Sequence, residues 1–383
     1  MFALEGVKVL DLSSYVAGPY AGTLLADLGA DVIRVESLEG DTYRYGLLYG
    51  GFLAWNRGKR SLSVDLTRPE GQRILHQLVG GADILMQNFR PTVAKKLGVD
   101  YETVRALNPR IIYYAGSGYG QTGPDSAKPG FDPLLQARSG IMRAAGGKGD
   151  PRGAGNSPVA DVGCALSAAW GMALALLARA RTGKGQFLEG SLLNAAVAAQ
   201  AGEMVFYAGK PAPRRRLPGN LGYSAGERLY ETAGGWLYIE CLEDVHWRGL
   251  RQLTGANIAL ERPAEGSEAD RLAQEALASA LKARTAKEWF ALLRAGGVPC
   301  APVQGLDDLY TDEHTLANGL FAQHQHPVSG LVKQLGMMVQ LAETPGCLWG
   351  PAPELGQHTD SILRDLGYSE SDVGQLREGR VIR

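Results

Sequence analysis

Val7-Lys-Val-Leu-Asp11-Leu, then Ser13-Ser-Tyr-Val-Ala-Gly-Pro19, then a helically spaced run from Tyr20 to Leu28 closed by Gly29, then Asp31-Val-Ile-Arg-Val-Glu36: this stretch decides the fold. The first and last pieces read as short strands, and Ser13–Pro19 reads as a turn. Gly29 sits where a left-handed residue closes a helix. Strand, loop, helix and strand in that order form the repeating unit of a doubly wound sheet. Two further apolar runs, Asp83-Ile-Leu-Met86 and Arg110-Ile-Ile-Tyr-Tyr-Ala115, each follow a helical pattern (Glu70–Leu78 and Tyr101–Leu107) and continue the alternation. The expected fold class is therefore α/β, with a doubly wound, mostly parallel, Rossmann-like domain over about the first 200 residues.

The chain then changes character. Pro211 to Gly226 is rich in Pro, Gly and Arg and reads as a linker or crossing segment. Arg228 to Glu240 reads as a β-hairpin turning at Gly234-Gly235, and helical patterns follow over Val245–Thr254, Ala269–Ala283 and Lys287–Ala295. This is the pattern of a smaller α+β domain. Mixed sequence resumes from Val303, with a last helix near Thr359–Leu366.

Composition narrows the class. The chain has 383 residues, 45% hydrophobic and 21% charged, with a formal net charge of −1. That balance gives no general attraction to nucleic acid or to an anionic membrane. The four cysteines, Cys164, Cys241, Cys300 and Cys347, are far apart and form no C-x-x-C pair, so they read as free thiols of a cytoplasmic protein. The N-terminus shows no secretory pattern. The apolar run from Val162 to Ala178 is short, contains two glycines and a serine, and ends in Arg-Ala-Arg; it reads as a helix buried in the α/β domain.

The first β-α-β unit invites a dinucleotide, and Glu36 stands where a ribose-binding acid would. The loop Ala17-Gly18-Pro19-Tyr20 has no G-x-G-x-x-G, however, and Pro19 removes an N–H that a phosphate loop would use. A helix N-terminus there still favours a polyanion. Arg34, Arg57, Lys59, Arg60, Arg90, Lys95 and Lys96 lie near the ends of successive expected strands and resemble the basic lining of a phosphate-rich ligand site. There is no G-x-S-x-G, H-E-x-x-H or Walker loop. His324 and His326 have no nearby metal-ligating partner, and Arg214-Arg215-Arg216 is too short to indicate nucleic acid. No metal is expected.

Ser157-Pro-Val-Ala-Asp161-Val-Gly leads into an apolar helix that ends before Thr182-Gly-Lys-Gly-Gln186. Taken alone, Asp161 reads first as an N-cap. The partial positive charge of a helix start would also keep its carboxylate ionised, as a carboxylate nucleophile requires.

Several stretches together resemble the family III CoA-transferases, the CaiB/BaiF family. They are Leu10-Asp-Leu through Ala17-Gly-Pro-Tyr, Leu25 to Glu36, Asn56-Arg-Gly-Lys-Arg-Ser-Leu-Ser-Val-Asp65-Leu, Asn88-Phe-Arg-Pro, Asn108-Pro-Arg-Ile-Ile-Tyr and Ser117-Gly-Tyr-Gly-Gln-Thr-Gly-Pro124. Asp132 with Gln136-Ala-Arg-Ser-Gly140, Ala160-Asp161, Thr182 to Gln186, Gly297 to Val303 and Leu355 to Asp360 extend the likeness over nearly the whole length.

The resemblance implies an enzyme that transfers a sulfur-containing group, passing CoA from an acyl-CoA to a free carboxylic acid with Asp161 as nucleophile. Coenzyme A is then a substrate, and no prosthetic group is implied. It also implies a large CoA-binding domain formed by residues 1–210 and 320–383, a small domain over 222–310, and an interlocked homodimer. Position by position, Val16 and Ala17 would meet the adenine end of CoA, Leu62 and Val64 would line it, and Asn88 and Phe89 would follow its chain. Lys96 would face its phosphates, and Phe131 and Asp132 would lie beside the thioester. Nearby backbone N–H groups would serve the oxyanions.

Ser37 stands where the family often has a CoA-binding Arg, so Arg34 or Arg44 is the expected substitute. No tetra-glycine run occurs in Pro211–Gly226, which argues against formyl or oxalyl substrates. Arg138, Arg143 and Arg152 are candidate clamps for a dicarboxylate. Three alternatives accompany this reading: an acyl-CoA racemase, whose proton-carrying His would fall at Phe131, a CoA-ester-binding protein without catalysis, and a nicotinamide oxidoreductase, which the missing glycine fingerprint opposes.

Overall fold

Alternating side chains explain the sheet. In each central strand consecutive apolar residues point to opposite faces and enter different cores. Val9, Val32, Ile84, Met86, Ile112 and Tyr114 belong to one core; Leu10, Ile33, Leu85 and Tyr113 belong to the other. A computed structural model describes all residues except Lys148, Asn156, Pro213 and Arg215. It divides into two compact units, Met1–Ser139 with Gly155–Ala201 and His314–Arg383, and Gly140–Ala154 with Gly202–Glu313.

The first unit is built on six strands: β1 (Lys8–Asp11), β2 (Asp31–Glu36), β3 (Arg60–Ser63), β4 (Ile84–Gln87), β5 (Ile112–Ser117) and β6 (Gln186–Ser191). They run in the order β3-β2-β1-β4-β5-β6, and all five pairings are parallel. The α/β expectation is met, and the topological switch point falls between β1 and β4. The loops that follow those two strands border the crevice where such sheets take ligands. Residues 13–19 are not all turn, because the helix Ala17–Asp27 begins three residues earlier than its apolar spacing shows. Pro19 is tolerated there because the first turn needs no intrahelical N–H bond. A hairpin of β11 (Phe321–His326) and β12 (Gly330–Leu335) belongs to this unit. The C-terminus also returns to β3 through the bridge Val64–Ile382 and the bond Asp65 N–H to Val381 O, 2.8 Å.

The second unit holds β7 (Gly222–Ser224), β8 (Glu227–Glu231), β9 (Trp236–Glu240) and β10 (Cys300–Pro302) in an antiparallel sheet. Helices Asp244–Thr254, Glu268–Ala280 and Ala286–Ala295 bury Trp247, Leu277 and Trp289 in its core. Gly140–Ala154 groups with this unit, although the sequence kept it within residues 1–210. The short helix Ile141–Gly146 packs on the turn Pro218–Asn220, and at Gly147 an added Cβ would lie 2.9 Å from Arg216 O.

Charges expected to face a ligand are instead inside the first unit. Lys59 Nζ lies 2.9 Å from Asp11 Oδ2 and also donates to Pro19 O, Trp55 O and Asn56 Oδ1. Arg34 Nη2 pairs with Asp41 at 2.6 Å, and its Nη1 donates to Ser13 O. Burial works against the Asp11 carboxylate, but Lys59 and Arg34 outweigh it and hold its pKa below the ordinary value. Breaking a buried pair from one side leaves an uncompensated charge. Lys59→Met is therefore expected to cost about 3–5 kcal/mol in urea unfolding, whereas the exposed Lys96→Met changes stability little.

Candidate active site

Asp161 is not an N-cap. The helix Val159–Thr182 starts two residues before it, Pro158 occupies the cap position, and no side chain of that residue bonds the first turn. The cap comes from another helix: Asp132, first residue of Asp132–Ser139, accepts the N–H groups of Ala160 at 2.7 Å and of Asp161 at 3.0 Å on its Oδ2. Its Oδ1 accepts from Gln136 Nε2. Three N–H donors around one buried carboxyl is the arrangement of a carboxylate.

Two glycines let Asp132 reach this place. Gly118 follows β5, and Gly130 leads back into Asp132. An added Cβ on Gly118 would stand 2.6 Å from the Gly130 Cα, and one on Gly130 would stand 2.5 Å from the Gly118 Cα. The two backbones touch where any side chain would part them.

The first-turn amides are all engaged. Val159 N–H donates to Ser157 O and Val162 N–H to Pro158 O, both at 2.9 Å. With Ala160 and Asp161 bound to Asp132, none of these four is left for an oxyanion. Among the described residues the Asp161 carboxylate has no hydrogen-bond or ion-pair partner. Burial, and next the charge of Asp132, push its pKa from 3.8 up to about 7. The expected stabilisation of the Asp161 anion by its helix start is thereby overturned, because another carboxylate holds the amides.

Aromatic rings stand close by. The rings of Tyr15 and Phe131 meet edge to face at 5.8 Å, and those of Tyr15 and Tyr43 at 6.1 Å. Burial and then the charge of Asp161 raise the Tyr43 pKa, which places this phenol within the field of the same carboxylate. Tyr15 has φ 70°, a left-handed conformation uncommon for a bulky residue. Asp41 holds it, accepting Tyr15 N–H at 3.0 Å on one oxygen and Tyr43 N–H at 2.8 Å on the other. Tyr15, Asp41 and Tyr43 were missed as site residues. Their one sequence signal is an acid two residues before Tyr43, the spacing of a local side-chain turn.

The other candidate residues fall into groups. Asn88 clamps both main-chain polar groups of one residue across the switch point, accepting Ser14 N–H at 2.9 Å and donating to Ser14 O at 2.8 Å. Phe89 is half-buried against the core, and Ala17 begins the first helix. Val16, Leu62 and Val64 are buried, so their side chains offer no surface to a ligand and only their main chain is left to serve one. Phe131 is exposed and Asp132 buried.

Of the basic set, Arg34, Arg57 and Lys59 are buried. Arg57 is held by Asp27 at 2.6 Å, and the more exposed Arg60 by Asp31 at 2.6 Å. Arg44, a proposed substitute at Ser37, grips Glu36 with two nitrogens, and Arg34 bonds Asp41 through Nη2 alone while its Nη1 is taken by Ser13 O, so neither is available to a phosphate. Arg90, Lys95 and Lys96 are exposed and, among the described residues, have no ion-pair partner. Arg138 pairs with Asp125 at 2.6 Å, while Arg143 and Arg152 belong to the second unit, so the three are not assembled as one clamp within either unit.

The fold is that of the CaiB/BaiF proteins. A CAIB/BAIF family protein from Brucella suis matches with TM-score 0.84 at 31% identity, over 95% of this chain and 99% of that one. The chain belongs to CoA-transferase family III, whose profile matches residues 4–359, and it is a CoA-transferase enzyme. It is similar to the succinyl-CoA–L-malate CoA-transferase beta subunit of Chloroflexus aurantiacus, 31% identical over 99% of this chain and 98% of the relative. It is also similar to the mouse succinyl-CoA:glutarate CoA-transferase, 32% identical over 98% of this chain and 89% of the relative.

A carboxyl whose pKa is higher in the folded state binds its proton more tightly there, so stability falls as pH rises from about 4 to about 7 and stays reduced above. Asp161→Asn removes that charge. It is expected to stabilise the protein at pH 8 by up to ~4 kcal/mol and to have no such effect near pH 4, as measured by urea unfolding at both pH values.

Proposed function

We propose that this enzyme moves CoA from succinyl-CoA to a second small dicarboxylic acid through covalent intermediates on Asp161. The carrying observation is the half-buried Asp161 carboxylate in the first turn of a fixed helix, without a hydrogen-bond or ion-pair partner among the described residues and with its pKa raised to about 7. Relatives named for succinyl-CoA with malate or glutarate support this choice of donor and acceptor class.

In the first step an Asp161 oxygen attacks the thioester carbonyl. The C–S bond breaks, CoA leaves as thiolate, and an acyl-aspartyl anhydride remains. The thiolate then attacks the Asp161 carbonyl carbon, releasing the donor acid as carboxylate and leaving an aspartyl-CoA thioester. The acceptor carboxylate attacks the same carbon, again freeing the thiolate. That thiolate attacks the acceptor acyl carbonyl, giving the new CoA ester and restoring the Asp161 carboxylate. Every step exchanges one acyl bond for another, so no external energy source is needed. Phe131 carries no titratable proton, which disfavours the racemase alternative, and a basic unpaired carboxylate has no purpose in a protein that only binds CoA esters.

CoA would lie in the crevice between the loops after β1 and β4. There Val16 and Ala17 supply main chain, Asn88 and Phe89 border the pantetheine, and Arg90, Lys95 and Lys96 approach the phosphates. Mass spectrometry of the protein with succinyl-CoA and malate, glutarate or other free acids is expected to find new CoA esters. Asp161→Ala is expected to lower their formation by at least ~10³-fold. Deuterium exchange at the α-carbon without a new ester would move the case to an isomerase.

We further infer a cytoplasmic homodimer. The Val159–Thr182 helix is long and apolar enough to span a membrane, yet only 33% of its most apolar window is buried, so it is not the enclosed helix its sequence indicates. Val159, Leu166, Trp170, Leu174 and Leu177 share an exposed face, and Trp170 is 67% exposed. A second copy of the chain is the proposed cover for this row. Trp170→Glu with Leu174→Glu is expected to halve the mass in analytical ultracentrifugation; an unchanged mass would exclude this face.

A further inference from the structure

Two carboxylates compete at the start of one helix. A residue in the first turn, as Asp161 is, ordinarily gains from the free amides and partial positive charge beside it. Here the amides of Ala160 and Asp161 both point to Asp132 Oδ2, at 2.7 and 3.0 Å, while Gln136 holds its other oxygen. The cap is supplied across helices, and it ties the backbone of Asp161 itself.

We propose that Asp132 is a positioning residue that acts through Asp161: by occupying the two amides as an anion, it fixes the nucleophile's backbone and denies its carboxylate their stabilisation. The proposal rests on the reading of Asp161 as nucleophile. A carboxylate left without donors is a stronger base and a stronger nucleophile than a capped one. The titratable groups facing Asp161 are Asp132 from the neighbouring helix, Tyr43 from the segment after β2, and Cys164 one turn along its own helix. Burial raises the last two, and Tyr43 and Cys164 remain neutral near pH 7, so Asp132 is the one neighbour in this set to bring a charge. The elevated pKa of Asp161 agrees with this arrangement.

The test is carbon-13 NMR titration of the Asp161 carboxyl in the full-length protein, assigned with Asp161→Asn. Asp132→Asn keeps an acceptor for the amides but removes the charge. It is expected to lower the Asp161 midpoint by at least ~1 unit and kcat/KM at pH 8 by roughly fivefold. Asp132→Glu keeps the charge and is expected to hold the midpoint within ~0.5 unit of the parent. An unmoved midpoint in Asp132→Asn, or an equal fall in Asp132→Glu, would overturn the proposal. Hydrogen exchange in the unmutated protein gives a check independent of any variant. The Ala160 and Asp161 amides should exchange at least ~10-fold slower than unstructured peptide, and exchange at the intrinsic rate would sink the idea.

Mass spectrometry after turnover separates the two readings. A CoA or acyl adduct on Asp161 with an unmoved midpoint rejects Asp132 alone. A lowered midpoint with no adduct on Asp161 rejects the nucleophile, and with it the purpose assigned to Asp132.

Discussion

The bond from Asp132 to the first-turn amides of the Val159–Thr182 helix is the constraint on which the site depends. It ties the first turn of the helix, and it decides which of the two carboxylates receives the amides and which does not. A helix start offers a limited number of N–H groups. Giving them to Asp132 leaves the Asp161 carboxylate without them, in keeping with its raised pKa. The sheet supports this arrangement from beneath: β5 ends beside Gly118, and the touching backbones of Gly118 and Gly130 bring Asp132 back over the strand end. The relation between fold and function is thus local and mechanical, even though the strand order is shared with dinucleotide-binding proteins.

A second buried network serves the other side of the site. Asp11, Lys59, Arg34 and Asp41 form a chain of ion pairs from the end of β1 to the two tyrosines. Asp41 turns that chain into shape, since its two oxygens hold the main chain of Tyr15 and Tyr43. Charges that look suited to a phosphate when read along the chain are here the framework of a loop. Arg90, Lys95 and Lys96 are exposed and, among the described residues, have no such engagement.

Much of the fold was legible because burial on both faces leaves a plain mark. β2 spans the predicted Asp31–Glu36, and the hairpin at Gly234-Gly235 falls where its turn residues put it. The strands β3 and β6 were not singled out. Arg60-Ser-Leu-Ser has one large apolar residue, and Gln186 to Ser191 is partly exposed, so neither shows a continuous apolar run. At the site, the helix that follows Asp161 is legible in the sequence, but the residue's place in its first turn is not. Sequence shows that an aspartate precedes an apolar helix; it does not show that an aspartate 29 residues earlier occupies the cap. The same limit applies to Arg34 and Lys59, whose partners come from separate strands and loops. The outward face of the long helix was misread for another reason, since apolar composition does not distinguish a face turned to the core from one turned outward.

The contact between Gly118 and Gly130 bears on how such an enzyme can diversify. Neither glycine has a side chain to offer a substrate, and neither position looks chemical in the sequence. Even a methyl group at either would drive the two strands of chain apart and carry Asp132 off its amides. The residues around them can drift while these two positions stay closed to change. The placing of the helix start is therefore guarded by two residues that have no side chain of their own.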